Sequence, residues 1–458
     1  MHSILWLVVL INACDVFLTD KTYAARLQEK YVWKQIAFAW PSDGEEQNAI
    51  ATGRYIPENN APLSMDLWGD KVFITIPRWK SGVAASLAYI QLPDDSRSPI
   101  LHPYPNWESH DMERNFPEVP QVQKRAANFK CSQLGNFLSD GPEPKTVELS
   151  TNIVSPYRAK ADECDRLWVL DWGRERLLEK TRRQVTLPTI ILFDLNTDKV
   201  LHRYTFPQDQ VLKTSEFVNF AVDISDRECG NAFIYVADVV GYGMLVYSLN
   251  EDRSWRIKHN YFHFDPLEGN FFIGGINFQV PDGIFGLAVG NQKPDKSKNV
   301  YFHALSSTKE FVVSNKVLQN ETRALDKDSY YDFKMLGDRG FNGQSNVQIF
   351  DKNTEIIFYS QVNKDAVGCW NSRKPYTPDT QGLVDSDSVT LVFVNEFFVD
   401  KGDNLWVLSN KLPQVLFTSG LNASEDNFRI LGGRISELII GTPCDFVDDS
   451  FYLQYPDL

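Results

Sequence analysis

At 458 residues the chain can form two ordinary domains or one large repeat array. Its formal net charge of −14 and pI near 5.1 argue against nucleic acid or an anionic membrane surface as its main partner. The 30 Phe, 18 Tyr and 11 Trp fit a strand-rich protein, and the 26 Gly and 23 Pro fit many tight turns.

Residues 1–24 read as a secretory leader. Its apolar core, ILWLVVLINA at 4–13, is too short to span a bilayer. The n-region carries only His2 and the terminal amine, and the cut falls after Cys14 or after Ala24. No later stretch is long and apolar enough for a transmembrane helix, so a secreted, extracellular protein is expected. Secretion makes disulfides the natural reading of the cysteines. With Cys14 lost, Cys131, Cys164, Cys229, Cys369 and Cys444 remain, which is two bridges and a spare thiol. None forms a CxxC pair, and no metal site is expected. Asn320-Glu-Thr and Asn422-Ala-Ser are N-glycosylation sequons.

Residues 31–40, YVWKQIAFAW, alternate imperfectly and make a first strand candidate. The organising feature follows: a short apolar strand opening after Asp or Asn. It appears as DKVFITIPR from Asp70, RLWVLDWG from Arg166, NAFIYVAD from Asn231, NVYFHAL from Asn299, TEIIFYSQ from Thr354 and DNLWVLSN from Asp403. Taking starts at Lys71, Arg166, Ala232, Asn299, Glu355 and Asn404, the intervals are 95, 66, 67, 56 and 49 residues. The long first interval holds the Pro-rich irregular segment 93–150, an insertion between units. The copies are too short for helices, and their Val, Ile, Phe, Tyr and Trp content suits a pleated surface buried on both faces.

Around each copy lie further strand candidates. Unit one offers 71–77 and 86–92; unit two 154–159, 167–171, 189–195 and 200–206; unit three 217–224, 232–237, 244–249 and 254–258. Unit four offers 283–289, 300–305 and 311–314; unit five 347–350, 356–361 and 367–370; unit six 394–399, 405–408, 415–418 and 428–431. Four meandering strands per unit make a propeller blade. The expected fold is all-β: a six-bladed β-propeller of four-stranded antiparallel blades around a central channel, one monomeric domain over 25–458. Cys164 and Cys229 each precede a repeat strand of consecutive units, which places them at the same end of neighbouring blades.

Several segments resemble the yellow / major royal jelly protein family of insects over nearly the whole mature chain. They are YIPENNAPLSMDLWGDKVFITIPRWKSGVAASLAYI (55–90), KADECDRLWVLDWG (160–173), LVYSLNEDRSWRIKHNYF (245–262), DGIFGLAVG (282–290), YFHALSSTKEFVVSNKVLQNET (301–322), LGDRGFNGQS (336–345) and VGCWNS (367–372). The resemblance implies a secreted six-bladed propeller acting in cuticle pigmentation and tanning, dopachrome conversion, binding of biogenic amines or food storage, depending on the branch. It also implies pairing of Cys164 with Cys229 and of Cys369 with Cys444, leaving Cys131 over. Trp172 departs from the small residue, such as Thr, that the family usually shows there, and is expected to alter packing near the channel.

The chain contains no HExxH, Walker loop, GxSxG or GxGxxG opening a helix. His259 and His263, read as one strand face, stand about 13 Å apart, too far to share a metal. Dopachrome isomerisation needs a base at ring carbon 3 and a group that stabilises charge on the quinone oxygen, with no cofactor. His303 or Asp338 would be the base and Arg339 the stabiliser. Asn395, Phe397, Asn410 and Gln344 would offer amide and aromatic contacts to a catechol or indole. The alternative is a non-enzymatic binder of biogenic amines or catechols, which needs an aromatic slot and an acidic partner. Trp168, Trp172, Trp370 and Trp406 read chiefly as core.

Overall fold

The structure, a computed structural model, describes residues 26–116, 149–226 and 228–445. The leader and Cys131 lie outside these residues. Six four-stranded antiparallel sheets are arranged as blades, and two short hairpins stand apart from them. Blade 1 is Ser64–Trp68, Lys71–Thr75, Leu87–Gln91 and His102–Pro103. Blade 2 is Pro156–Ala161, Arg166–Asp171, Thr189–Asp194 and Lys199–Thr205. Blade 3 is Phe217–Asp223, Phe233–Asp238, Gly243–Ser248 and Arg253–Lys258. Blade 4 is Ile284–Val289, Asn299–Ala304, Lys309–Ser314 and Lys334–Asp338. Blade 5 is Gln348–Phe350, Ile356–Gln361, Ala366–Asn371 and Gln381–Ser386. The first strands of neighbouring blades pack side by side around the axis.

Blade 6 closes the ring. Val394–Val399, Asn404–Ser409 and Phe428–Arg434 supply three strands, and the outermost is the N-terminal Gln28–Trp33, with Trp33 opposite Phe428. The expected strand at 415–418 is instead part of a helix, Leu412–Phe417. Pro413 sits in its first turn, and Leu412 and Val415 are buried at helical spacing. The turn 259–263 is likewise not a strand: Asn260–Phe262 is a 3-10 turn, and His259 stacks on Tyr330 and Phe333.

Two of the residues that announce a repeat, Asp165 and Asp403, have a conformational role. The turn between the first and second strand of every blade contains a left-handed residue: Gly69, Asp165, Asp226, Lys296, Glu355 or Asp403. In blades 2 and 6 one carboxylate also locks the hairpin. Asp162 accepts from the Cys164 and Arg166 peptides and from Trp168 Nε1 at 2.7 Å. Asp400 does the same for Gly402, Asn404 and Trp406 Nε1 at 2.8 Å. Trp172 is buried between blades 2 and 3, 5.1 Å from the Phe217 ring and 5.0 Å beneath the Arg174 guanidinium. Both expected disulfides are formed, Cys164–Cys229 with Cα atoms 6.0 Å apart and Cys369–Cys444 with 6.3 Å. Both sequon asparagines, Asn320 and Asn422, are exposed. Among the described residues no helix is long and apolar enough to cross a membrane.

Candidate functional site

The innermost strands begin on one face of the propeller, and their starting residues surround a cavity of about 270 Å³ at the channel mouth. Leu63, Tyr157, Val218, Phe285 and Phe393 line it from blades 1, 2, 3, 4 and 6. A hairpin, Asn270–Ile273 with Ile276–Gln279, adds Phe271 and Phe278, and the helix Leu412–Phe417 adds Leu416 and Phe417. Into this apolar wall the chain places two carboxylates, Glu216 and Asp282, each just before an innermost strand. A larger groove of about 470 Å³ lies beside blade 1 and is lined by charges of both signs. The mouth cavity, apolar with a few convergent polar groups, has the character of a site for a small organic ligand.

Glu216 is held from both sides. Its peptide N–H donates to Asp238 Oδ1 at 2.8 Å, and Asp238 is itself paired with Arg256 at 2.8 Å. The Tyr157 hydroxyl donates to Glu216 Oε1 at 3.3 Å and accepts from Trp79 Nε1 at 3.0 Å. Burial pushes the Glu216 carboxyl up to about 7, the charge of Asp282 adds to this, and Arg174 opposes it. Burial alone raises Asp282 to about 6. Among the described residues no side chain donates to the Asp282 carboxylate. The mouth therefore offers an apolar slot with two carboxylates, Glu216 opposed by the charge of Arg174 and Asp282 with no side-chain donor.

The raised Glu216 pKa has a cost with a definite sign. A carboxyl that titrates higher folded than unfolded favours the folded state least when ionised, so the penalty is absent below about pH 4 and complete above pH 7. Glu216→Gln should therefore raise the unfolding free energy at pH 8 by about 1–3 kcal/mol and leave it nearly unchanged at pH 4, read by urea denaturation.

Arg158 closes the channel beneath the cavity. The fully buried guanidinium donates to the carbonyls of Val218 (3.0 Å), Leu63 (3.3 Å) and Asn395 (2.7 Å) and to Glu396 Oε2 (2.9 Å). Phe285 lies 5.9 Å from it. Lys160 takes the other Glu396 oxygen at 2.9 Å. One side chain thus joins blades 1, 2, 3 and 6 and sets the depth of the mouth.

The residues singled out from sequence fall elsewhere. His303 and Arg339 are brought together between blades 4 and 5, both buried around Glu310. Arg339 donates to Glu310 Oε2 at 2.7 Å, and His303 Nδ1 lies 2.8 Å from the same oxygen. Burial holds the His303 pKa below its usual value, so the neutral ring donates from Nδ1. Its ring covers Gly286, where a Cβ would come within 2.1 Å of Nε2. Asp338 is exposed and accepts from the Gly340 peptide. Asn395 is buried in the channel wall, where its Oδ1 accepts from Asn346 at 2.9 Å, and Phe397 is core. Asn410 donates to the Pro62 carbonyl and accepts from the Leu412 peptide, fixing the start of the helix that walls the cavity. Gln344 braces the loop beneath the hairpin through Glu268 and Asn363. None of these seven lines the mouth cavity.

The sequence profile of the Major royal jelly protein family matches residues 154–444. Protein yellow of Drosophila yakuba is 36% identical over 95% of this chain and 74% of its own length. Protein yellow of Drosophila melanogaster is 35% identical over 97% and 75%. The chain belongs to the yellow / major royal jelly protein family. Among solved structures, virginiamycin B lyase from Staphylococcus aureus has a TM-score of 0.38 at 9% identity over 82% of this chain and 96% of that one, which bears on no chemistry here. Against this yellow-family background, the six blades agree with the count of repeat strands.

Proposed function

We propose that this yellow-family protein binds a small protonated aromatic amine, a catecholamine or indoleamine, at the channel mouth, and that it serves extracellular catechol chemistry of the kind used in pigmentation and tanning. The observation that carries the reading is the Glu216–Asp282 pair set in a wall of Phe and Leu side chains. An aromatic ring fills the slot, and the ammonium pairs with the two carboxylates. Two disulfides support an oxidising, extracellular setting.

A second reading, dopachrome isomerisation, is favoured by one feature. A carboxyl raised to about 7 inside a cavity is poised to take a proton at neutral pH, which makes Glu216 a better-placed base than His303. The carboxylate of dopachrome weighs against it, since two acidic groups already occupy the site. One preparation separates the two. Dopamine should bind saturably by calorimetry, while dopachrome should lose its colour only at the spontaneous rate. Faster colour loss that Glu216→Gln abolishes would establish the isomerase instead. Colour loss that persists in Glu216→Gln and disappears in His303→Gln would move the chemistry to the interface of blades 4 and 5.

A further inference from the structure

The hairpin formed by Asn270–Ile273 and Ile276–Gln279 belongs to no blade. It leaves the chain between blades 3 and 4, and its inner face covers the cavity with Phe271 and Phe278. Its far side rests on blades 5 and 6 without any sheet ladder. There Asn363 is the clasp: its Oδ1 accepts from the Phe272 peptide at 3.0 Å and its Nδ2 donates to the Asn270 carbonyl at 3.2 Å. Gln344 Oε1 holds the Asn363 amide in that orientation at 3.0 Å. The second contact is a ring stack, Phe278 on Phe417, with centroids 4.4 Å apart and planes at 23°. Phe417 is 45% exposed, so water reaches the ring stack, while Phe271 and Ile273 on the inner face are buried and Phe272 on the outer face is exposed. The tip is Gly274-Gly275, both left-handed, and it lies against Val392.

We infer that this hairpin is a roof that lifts from blades 5 and 6 at the Asn363 and Phe417 seam, and that its lifting widens the way by which small molecules reach the mouth cavity. The inference rests on the mouth being the binding site. At its far side the strap is held by one amide side chain, one partly exposed ring stack and the contact of its tip with Val392. Phe271 and Ile273 are buried beneath it. No ladder hydrogen bond to a blade has to break for it to open. The cavity beneath is apolar and carries two carboxylates, and a closed roof stands in the path of a ligand entering or leaving it. The roof is thus a kinetic gate. It slows exchange in both directions and leaves the choice of ligand to the wall.

The geometry allows the roof to be locked. A Cβ built on Gly274 would lie 3.1 Å from Val392 Cγ1, within reach of the roughly 3.5–4.5 Å Cβ separation of a disulfide. The oxidised Gly274→Cys/Val392→Cys variant is compared with each single-cysteine variant, which controls for the left-handed backbone at 274. Two probes are followed by stopped flow: dopamine, and the neutral apolar dye N-phenyl-1-naphthylamine. The locked protein should take up both at least tenfold more slowly than either single variant. Asn363→Ala should speed association and dissociation together, each by about threefold or more, with Kd changed less than threefold. Equal uptake by locked and single variants overturns the roof. If only the dye behaves as described, the roof stands and the amine reading falls. Hydrogen exchange supplies a readout free of ligand. Amides of 270–279 should exchange at least tenfold faster than those of the blade strands, and slow when locked. A hairpin protected as long as the blades overturns the proposal whatever the probes do.

Discussion

Glu216→Gln with Asp282→Asn should weaken dopamine binding at pH 7.5 by at least 100-fold. Hydrogen bonds to charged groups contribute about 1.5–3 kcal/mol each, and here both partners of the ammonium are neutralised in an apolar site. Two such losses amount to about 3 kcal/mol or more, and 1.4 kcal/mol is tenfold. The substitutions keep shape and volume, so the neutral dye should bind the double variant at least as well as the wild type. That pairing of results distinguishes loss of charge from loss of fold. Either single substitution should cost less than half of the total in free energy, because the remaining carboxylate can recentre the ammonium and then titrates without a like-charged neighbour.

Arg158→Met should lower the unfolding free energy by about 3–5 kcal/mol. Met fills much of the volume but leaves three carbonyls on blades 1, 3 and 6 without their donor, and leaves Glu396 buried with Lys160 alone. Arg158→Met/Glu396→Gln should cost less than the sum of the two single changes, since each single change already breaks the Arg158–Glu396 pair and the double change breaks it once. Urea titration of the four proteins reads this directly, and strict additivity would mean that the pair does not act as a unit. Arg158→Lys should fall between wild type and Met, because a point charge cannot reach four acceptors in a fan.

The fold was legible because its second strands are buried on both faces. Arg166–Asp171 and Ile356–Gln361 have no exposed residue, so their apolar content shows in any window. The outer strands Lys334–Asp338 and Gln381–Ser386 face solvent, and a stretch such as KMLGD carries no periodic signal. The closing strand was legible only in part. Residues 31–40 make a strand candidate and the strand is Gln28–Trp33, but its pairing with 428–432 at the far end of the chain is encoded by no local pattern. The site was less legible still. His303 and Arg339 drew attention as polar residues in or beside apolar runs, yet each satisfies Glu310 inside a blade interface. Glu216 and Arg158 lie in none of the quoted segments and Asp282 only opens DGIFGLAVG, and the closing of the ring is what brings the three together. The available signal was positional, an acidic residue one or two places before the innermost strands of consecutive blades.

The central claim is that a cation is captured by two carboxylates which both titrate near neutral pH. With Glu216 titrating at about 7 and Asp282 at about 6, the empty pair holds about one proton at pH 6.5. An ammonium seated between them favours both ionised, so binding must expel that proton and the affinity must rise as pH increases from 5.5 to 7.5. Calorimetric titration of dopamine at pH 6.5 in two buffers of different ionisation enthalpy measures this directly. Release of about one proton per bound amine is the predicted result. Binding whose heat does not depend on the buffer, with an affinity constant between pH 5.5 and 7.5, would contradict the account.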